Sequence, residues 1–317
     1  MQTLQIKLKE NKNKEFIKNF EKKVKATIEN FNLLEKNDKI VVAASGGNDS
    51  LALVLVLKKL GYAFEVLTID PEIPQYDKEI ARLKALCQKL GIKHHLFLFK
   101  DFYGFNVPEL KAILKEKGIS YQACTVCGGG FLRRKILNLK AKELGATRLV
   151  TAHNADDELE SIFMNLLRNR QSLNARLGPK SGLKENGAFV QRVKPFYFIA
   201  KKEIENYCRL NGLKPNKKYT YIKNSFRILV RSFLKRMERL CGSGFKIKIL
   251  EKFVSKLPTI KSNYNYEIKT CEICGEPSSK AICRPCQILN KIKGSNFLAA
   301  LPIEDDTGKT ILMNIER

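Results

Sequence analysis

Residues 45–50 read SGGNDS and lie between the apolar runs IVVAA and LALVLVL. This order predicts a buried strand, a glycine turn and a helix with an acid in its first turn. Glycines let backbone amides point inward, and the positive N-terminus of the helix favours an anion. We therefore predict a phosphate site in this turn, the glycine loop, with a purely steric need for glycine as the alternative. Its residues are Ser45, Gly46, Gly47, Asn48, Asp49 and Ser50.

A second acidic segment, AHNADDE, follows the apolar run RLVT. Asp156, Asp157 and Glu158 are expected to begin a helix at the sheet edge that holds the glycine loop, where ligands of open α/β sheets bind. Carboxylates at that edge can hold Mg²⁺ beside a bound phosphate group. Helix capping without a catalytic role is the alternative, because acids are common in first turns.

The cysteines of this chain favour metal or thiol chemistry over disulfides, because we find no secretory signal. Four of them form two CxxC pairs that are separated by eight residues: Cys271, Cys274, Cys283 and Cys286. This spacing predicts a closed tetrahedral zinc site. A further pair, Cys124 and Cys127, precedes three glycines. That spacing suits one metal or cluster, and it equally suits a redox or persulfide pair.

A basic cluster follows this pair, at the start of a predicted helix. Arg133, Arg134 and Lys135 are placed to meet the phosphates of ATP or RNA, or to form a solvated basic face. The whole chain has a formal charge of +26, which favours a polyanion such as nucleic acid. A lysine-rich proteome would also explain the charge. With no apolar stretch of membrane-spanning length, we expect a cytoplasmic protein.

The elements that must position these residues alternate between short apolar runs and helical stretches from residue 38 onward. This alternation predicts an α/β fold with a Rossmann-like parallel sheet flanked by helices. We expect an N-terminal helical extension over 1–37, the main domain with a helical C-terminal part over 38–257, and a small zinc module over 258–317.

Further elements follow from periodicity. Helices are predicted near 13–32, 131–144, 201–211 and 224–240, and Gly61 and Gly91 are expected at helix C-caps. The polar stretch RQSLNARLGPKSGLKENGAF is predicted to be a mobile loop, and KSNYNYEIK a linker.

The motifs together resemble one known family. SGGNDS in its setting is similar to the PP-loop of ATP pyrophosphatases, and CTVCGGGFLRRK with AHNADDE resembles tRNA 2-thiolation enzymes of the TtuA/TtcA type. RVKPFYFIAKKEIENYC, YTYIKNSFR and the terminal CxxC pairs extend the resemblance over residues 14–295, nearest the TtuA branch. That branch has an N-terminal zinc module, which we do not expect here because no cysteine precedes Cys87.

The resemblance implies a PP-loop (HUP) fold that binds ATP and Mg²⁺, with adenine near Ile69 and the nucleotide close to Ala152. Arg133 and Arg134 are the candidates to bind its phosphates, with the solvated basic face still the alternative. It implies Asp157 as a catalytic residue, beside Asn48 in the loop. Cys124 and Cys127, with a distant third cysteine, would hold an iron-sulfur cluster or sulfur. The implied partners are tRNA and a sulfur donor, either a thiocarboxylated ubiquitin-like protein or sulfide, with a homodimer as the assembly to test.

The sequence departs from the family in three places. Asn48 stands where lysine is usual, so the loop brings no positive charge to the pyrophosphate. Tyr219 stands where the third cluster cysteine is expected, which leaves Cys208, on a neighbouring predicted helix, or Cys241 as the candidate replacement. Ala152 replaces a glycine and adds one methyl group.

These observations predict adenylation of the 2-oxo group of a tRNA uridine followed by sulfur transfer. A tRNA-binding paralogue that has lost turnover is the alternative. An ammonia-using ligase, the third hypothesis, would leave CTVC and the terminal cysteines unexplained.

Overall fold

The computed structural model describes residues 2–119, 130–182, 189–213, 226–264, 269–278, 280–293, 303–304 and 310–311. Its centre is a five-stranded parallel sheet in the order β3-β2-β1-β4-β5, which confirms the predicted fold class. The strands are β1 (Ile40–Ala43), β2 (Phe64–Asp70), β3 (His94–Leu98), β4 (Arg148–Thr151) and β5 (Gln191–Val193).

Helices cover both faces of the sheet. In chain order they are α1 (Gln2–Asn30), α2 (Asn48–Lys59), α3 (Asp77–Leu90), α4 (Phe99–Tyr103), α5 (Val107–Glu116), α6 (Gly130–Glu143), α7 (Ala155–Leu167), α8 (Gln171–Asn174), α9 (Lys201–Leu210), α10 (Phe226–Cys241), α11 (Phe245–Ser262) and α12 (Arg284–Lys293), with a 3₁₀ turn over Pro74–Tyr76. None of these helices has the length and apolarity that crossing a bilayer requires.

The strand alternation divides the core in two. Ile40 and Val42 of β1 pack with α1, α2 and α9, whereas Val41 packs with α5, α6 and α12 on the opposite face. Because β1 pairs with β2 on one side and β4 on the other, the chain reverses its winding at β1 and β4. Such a switch point opens a crevice at the carboxyl ends of the two strands. α2 and α7 both begin at this crevice.

The N-terminal helix docks through aromatic rings. Phe20 stacks on Tyr207 of α9 with ring centroids 4.2 Å apart, and the Tyr207 hydroxyl donates to Glu21 at 2.8 Å. The helix predicted over 13–32 begins earlier, at Gln2. The polar stretch ENKNK over residues 10–14 interrupts the apolar spacing, which hid the continuation of the helix toward the N-terminus. It ends at Asn30, before Asn32 takes a left-handed conformation with φ 47°.

Two predictions concern the chain after α7: a mobile loop over residues 170–189 and a domain boundary at 257/258. The stretch predicted as a mobile loop contains the short helix α8, and Lys180 pairs with Val193 of β5, so part of it is ordered by the sheet. The proposed division at 257/258 falls inside α11, which continues through Pro258 to Ser262. The three-domain division itself stays a prediction.

The cysteine-rich end is small and packs on the main sheet. Its two-stranded pair, β6 (Lys269–Thr270) with β7 (Pro277–Ser278), precedes α12. Ile288, Leu289 and Ile292 of α12 are buried in the same core cluster as Val41. Another antiparallel pair joins β8 (Ile303–Glu304) to β9 (Thr310–Ile311). The cysteine-rich segment therefore shares the core of the α/β domain.

Candidate active site

The glycine loop connects β1 to α2 as the sequence predicted, and its first glycine is fixed by packing. Gly46 has φ +82°, and a Cβ at this position would lie 2.1 Å from the carbonyl oxygen of Glu79 in α3. Gly47 caps α2 with φ −67°, and a Cβ there would meet only the Ser45 hydroxyl at 3.6 Å. The loop thus passes close to α3 at one glycine and stays open at the next.

Two hydrogen bonds brace the ends of the loop. The buried Ser50 hydroxyl donates to the carbonyl oxygen of Gly47 at 2.8 Å, which closes the first turn of α2. The Ala44 carbonyl oxygen accepts from the Thr68 hydroxyl at 2.8 Å, which ties the end of β1 to β2. The loop is therefore braced before any ligand binds, and its helix N-terminus faces the crevice.

Asn154 joins the glycine loop to the second acidic segment. Its buried side-chain amide donates to an Asp49 carboxylate oxygen at 3.0 Å, and its oxygen accepts from the backbone amides of Asp156 and Asp157 at 3.0 and 3.1 Å. One residue caps α7 and holds the first turn of α2 against it. The prediction that both acidic segments meet at one sheet edge is confirmed.

The three acids of α7 have different surroundings. Asp156 accepts from the Lys246 ammonium and from the backbone amide of Lys201 at 2.8 Å, so it anchors α9 and α11. Glu158 forms a buried ion pair with Lys194 at 2.8 Å. Among the described residues, the Asp157 carboxylate accepts one hydrogen bond, a long one of 3.5 Å from the backbone amide of Asn154. Of the three, it is therefore the carboxylate most available to a ligand.

Electrostatics also separate Asp157 from its neighbours. Burial, followed by repulsion from Asp49, raises the pKa of Asp157 to about 6, although Lys201 opposes the shift. Burial raises the pKa of Asp49 too, against the attraction of Lys201, whose ammonium lies 3.7 Å away. Two carboxyl groups that repel each other in a crevice favour a bound cation.

Basic side chains lie near one another at the ends of β4 and β5. Burial, followed by the charge of Lys194, holds the pKa of His153 well below its usual value, so this imidazole is neutral. Burial, together with the charge of Arg134, lowers the pKa of Arg192 to about 10. Arg134, predicted to bind phosphate, thus lies within electrostatic reach of the ends of β4 and β5.

The hydrophobic positions predicted near adenine are close to the same edge. Ile69 is buried near the carboxyl end of β2, and Ala152, directly after β4, packs on the core cluster of α2. Arg133 is half-buried on α6. Their contact with a nucleotide stays a prediction.

A comparison with known proteins decides the family. A family model described as a PP-loop domain matches residues 16–236, more than half of the chain. The chain belongs to the PP-loop family. Within it, a tRNA-5-methyluridine(54) 2-sulfurtransferase of Pyrococcus horikoshii is 32% identical over 295 residues, covering 91% of this chain and 90% of the relative. This relative places the chain among the tRNA 2-thiolation proteins.

Two further relatives agree. The cytoplasmic tRNA 2-thiolation protein 1 of Saccharomyces cerevisiae is 33% identical over 305 residues, covering 91% of this chain and 82% of the relative. The solved structure of the U34-tRNA thiolase NcsA from Methanococcus maripaludis, with its 4Fe-4S cluster, aligns with TM-score 0.72 and 26% identity over 89% of each chain. The PP-loop assignment thus rests on both sequence and fold.

The four terminal cysteines of this PP-loop protein converge as predicted. Their sulfurs all lie within 4.8 Å of one another, with Cys274 and Cys283 3.7 Å apart. Four sulfurs around one ion at ~2.3 Å would be separated by ~3.8 Å, so the cluster fits a tetrahedral metal. The Cys283 amide also donates to the Cys271 sulfur at 3.2 Å, a contact that favours thiolate.

Lys135 corrects one prediction about the basic cluster. Its ammonium nitrogen is buried and hydrogen-bonds no oxygen of the described chain. Burial alone would lower its pKa, but the sulfurs of Cys274 and Cys286 raise it overall. Lys135 therefore points into the cysteine cluster rather than toward ATP or RNA, because α6 packs that face against the terminal segment.

The predicted sulfur-handling cysteines are only partly described. Cys124, Cys127 and Tyr219 lie outside the described residues. Cys208 lies beneath the glycine loop, where its buried thiol donates to the carbonyl oxygen of Asn48 at 3.4 Å. Burial, followed by the charge of Asp49, raises the pKa of this thiol to about 12. A role as third cluster ligand would require Cys208 to leave this contact and lose its proton.

Sequence reasoning missed two residues of the site. Asn154 had a local signal, since an Asn followed three residues later by an acid is typical of a capped helix start. Nothing in the local sequence indicated the hydrogen bond from Asn154 to Asp49. Lys201 carried no local signal at all, because its ion pair with Asp49 joins residues far apart in the chain.

Proposed function

We propose that this PP-loop protein is an adenylating tRNA 2-thiolation enzyme. The observation that carries the proposal is the hydrogen bond from Asn154 to Asp49, which brings Asp157 to the end of the glycine loop, where α2 begins. That arrangement joins an anion site to a carboxylate pair, as a nucleotide with its metal requires. The thiolation activity named in the relatives supports the choice of substrate.

In the proposed reaction, ATP binds with its phosphates on the glycine loop. The 2-oxo oxygen of a tRNA uridine attacks the α-phosphate and pyrophosphate leaves, which gives an adenylated base. Sulfur then attacks the carbon, and AMP leaves with the former base oxygen. The target base must be turned out of the tRNA to reach the crevice. Asp157, with Asp49 beside it, would hold Mg²⁺, which neutralises charge on the departing pyrophosphate.

Sulfur handling is assigned to Cys124 and Cys127. The archaeal U34 thiolase has a 4Fe-4S cluster. A cluster held by Cys124 and Cys127 would supply an iron that carries sulfur. The donor is sulfide or a thiocarboxylated ubiquitin-like protein. The zinc ion is assigned to the terminal quartet because four closely spaced thiolates suit it. We place the protein in the cytoplasm and propose a homodimer.

Two departures from the family favour a second function, that of a tRNA-binding paralogue without turnover. Asn48 brings no charge to the loop, and Tyr219 occupies the position of the expected cysteine. In this alternative the basic surface and the metal cluster bind tRNA, and ATP is not cleaved.

Incubation with ATP, Mg²⁺, tRNA and sulfide separates the two functions. The enzyme should release pyrophosphate and produce tRNA that is retarded in a mercury gel. RNA binding without pyrophosphate would support the paralogue instead. Pyrophosphate release driven by ammonia and a free nucleotide would point to a ligase.

A further inference from the structure

The glycine loop has acids beside it but no cation of its own. Asp49 lies in the first turn of α2 and Asp157 in the first turn of α7, and Asn48 between loop and helix is neutral. A triphosphate brings several negative charges to this place. Backbone amides and one metal ion can offset part of them, and enzymes commonly add a Lys or Arg side chain.

Lys201 lies at this position although it comes from another part of the chain. Its ammonium nitrogen is 3.7 Å from the Asp49 carboxylate, beyond a tight ion pair, and its side chain is 49% exposed. A loosely held, half-exposed ammonium can turn toward an incoming phosphate at little cost.

The first turn of α9 is firmly placed, so the ammonium is aimed at the crevice by the fold. The Lys201 backbone amide donates to Asp156 at 2.8 Å, and Glu203, two residues on, pairs with Lys23 of α1 at 2.6 Å. The stack of Tyr207 on Phe20 holds the rest of the helix.

Two other lysines of the described chain contact the acids of α7, and both are already committed. Lys194 forms a buried ion pair with Glu158 at 2.8 Å. Lys246 is held as firmly. It binds both Asp156 and Glu238, and its side chain is 7% exposed. A phosphate could reach it only by breaking a buried network.

We propose that Lys201 supplies the side-chain cation that binds the β,γ-phosphates of ATP in place of a charged residue in the glycine loop. This inference rests on the proposed function, since it needs ATP in the crevice. It reconciles the neutral Asn48 with an active enzyme: the charge comes from α9.

The test compares two ligands on the purified full-length protein by titration calorimetry. These are α,β-methylene ATP, which cannot be cleaved between the α and β phosphates, and AMP, which lacks those phosphates. Lys201→Met should weaken the affinity for the ATP analogue by about tenfold or more, which is the contribution of one charge-assisted hydrogen bond. The affinity for AMP should stay within about twofold of the wild-type value. Lys202→Met, an exposed neighbour on the same helix, should leave both unchanged and serves as the matched control.

A charge transplant adds a second readout. Asn48→Lys in the Lys201→Met background should restore most of the lost affinity for the ATP analogue. The proposal is overturned if Lys201→Met binds the analogue as the wild type does, if AMP affinity falls in parallel, or if the transplant restores nothing. If the wild type itself binds no ATP analogue, the proposed function fails instead.

Discussion

At the scale of single residues, Asp157 and Asp156 adjoin in sequence but differ in role. Asp157 has a carboxyl group whose pKa is raised to about 6 by burial, then by Asp49. Asp156 is tied to Lys246 and to the backbone of Lys201. Burial disfavours the charged form of Asp157, whereas the Asp156 carboxylate forms an ion pair with Lys246. Removal of the two charges should therefore change stability in opposite directions.

We expect Asp157→Asn to stabilise the fold while it abolishes pyrophosphate release. The pKa of Asp157 is about 6 in the folded protein and 3.8 in the unfolded chain. Protonated Asp157 therefore favours the folded state below pH 3.8, and this stabilisation is lost as the pH rises through about 6. The variant escapes that loss, which amounts to about 3 kcal/mol when complete. Urea unfolding should show an advantage over wild type that is about 1 kcal/mol larger at about pH 8 than at about pH 5.

Asp156→Asn is the control for the Asp157→Asn variant. It leaves the buried Lys246 with Glu238 as its remaining acidic partner, so it should lose about 1–3 kcal/mol. An equal loss of stability in both variants would mean that Asp157, too, has a purely structural role.

Residue types and spacing predict much of this site. SGGNDS between two apolar runs predicted the strand, the turn and the start of α2, and AHNADDE predicted the start of α7. The long-range partners could not be predicted. Asn154 to Asp49 and Lys201 to Asp49 are set by packing between helices that no local period encodes.

At the scale of elements, the turn from β1 to α2 depends on its approach to α3. Gly46→Ala should lose at least about 2 kcal/mol, because its φ is positive and the new methyl group would collide with the backbone of Glu79. Gly47→Ala should cost less than about 1 kcal/mol, since that position is open. Equal thermal stabilities for the two variants would contradict the close approach.

α11 shows the limit of periodicity at this scale. A lysine-rich stretch with Pro258 inside it offers weak helix signals, yet Leu250 and Leu257 are buried. Leu250 joins the cluster formed by α7 and α10. Tertiary packing, which the sequence pattern does not display, selects the helix here.

The cysteine quartet should stabilise more than its own short segment. Cys271→Ser is expected to abolish binding of the proposed zinc ion and to lower Tm by about 5 °C or more, because α12 buries three apolar side chains in the main core. Metal analysis and calorimetry would measure both effects. Cys241→Ser, at an exposed thiol, is the matched control and should change neither. Full zinc content in Cys271→Ser would contradict a four-cysteine site.

At the scale of the whole molecule, charge predicts how tRNA binds. A formal charge of +26 makes counterion release a large part of the affinity. Binding to tRNA should therefore weaken by at least about tenfold when KCl rises from about 50 to about 200 mM. A filter-binding series would measure it, with Tm over the same range to check that the fold is unchanged. A tRNA affinity that does not change with the KCl concentration would argue against extensive contacts to the tRNA phosphates.

The central claim is that the crevice between α2 and α7 lets an RNA oxygen take the AMP of ATP. The direct measurement uses tRNA that carries ¹⁸O at the 2-oxo position of its uridines, incubated with the protein, ATP, Mg²⁺ and sulfide. Mass spectrometry should find one ¹⁸O in the AMP for each thiolated base. AMP that carries oxygen from water alone, or thiolated tRNA without labelled AMP, would contradict the claim.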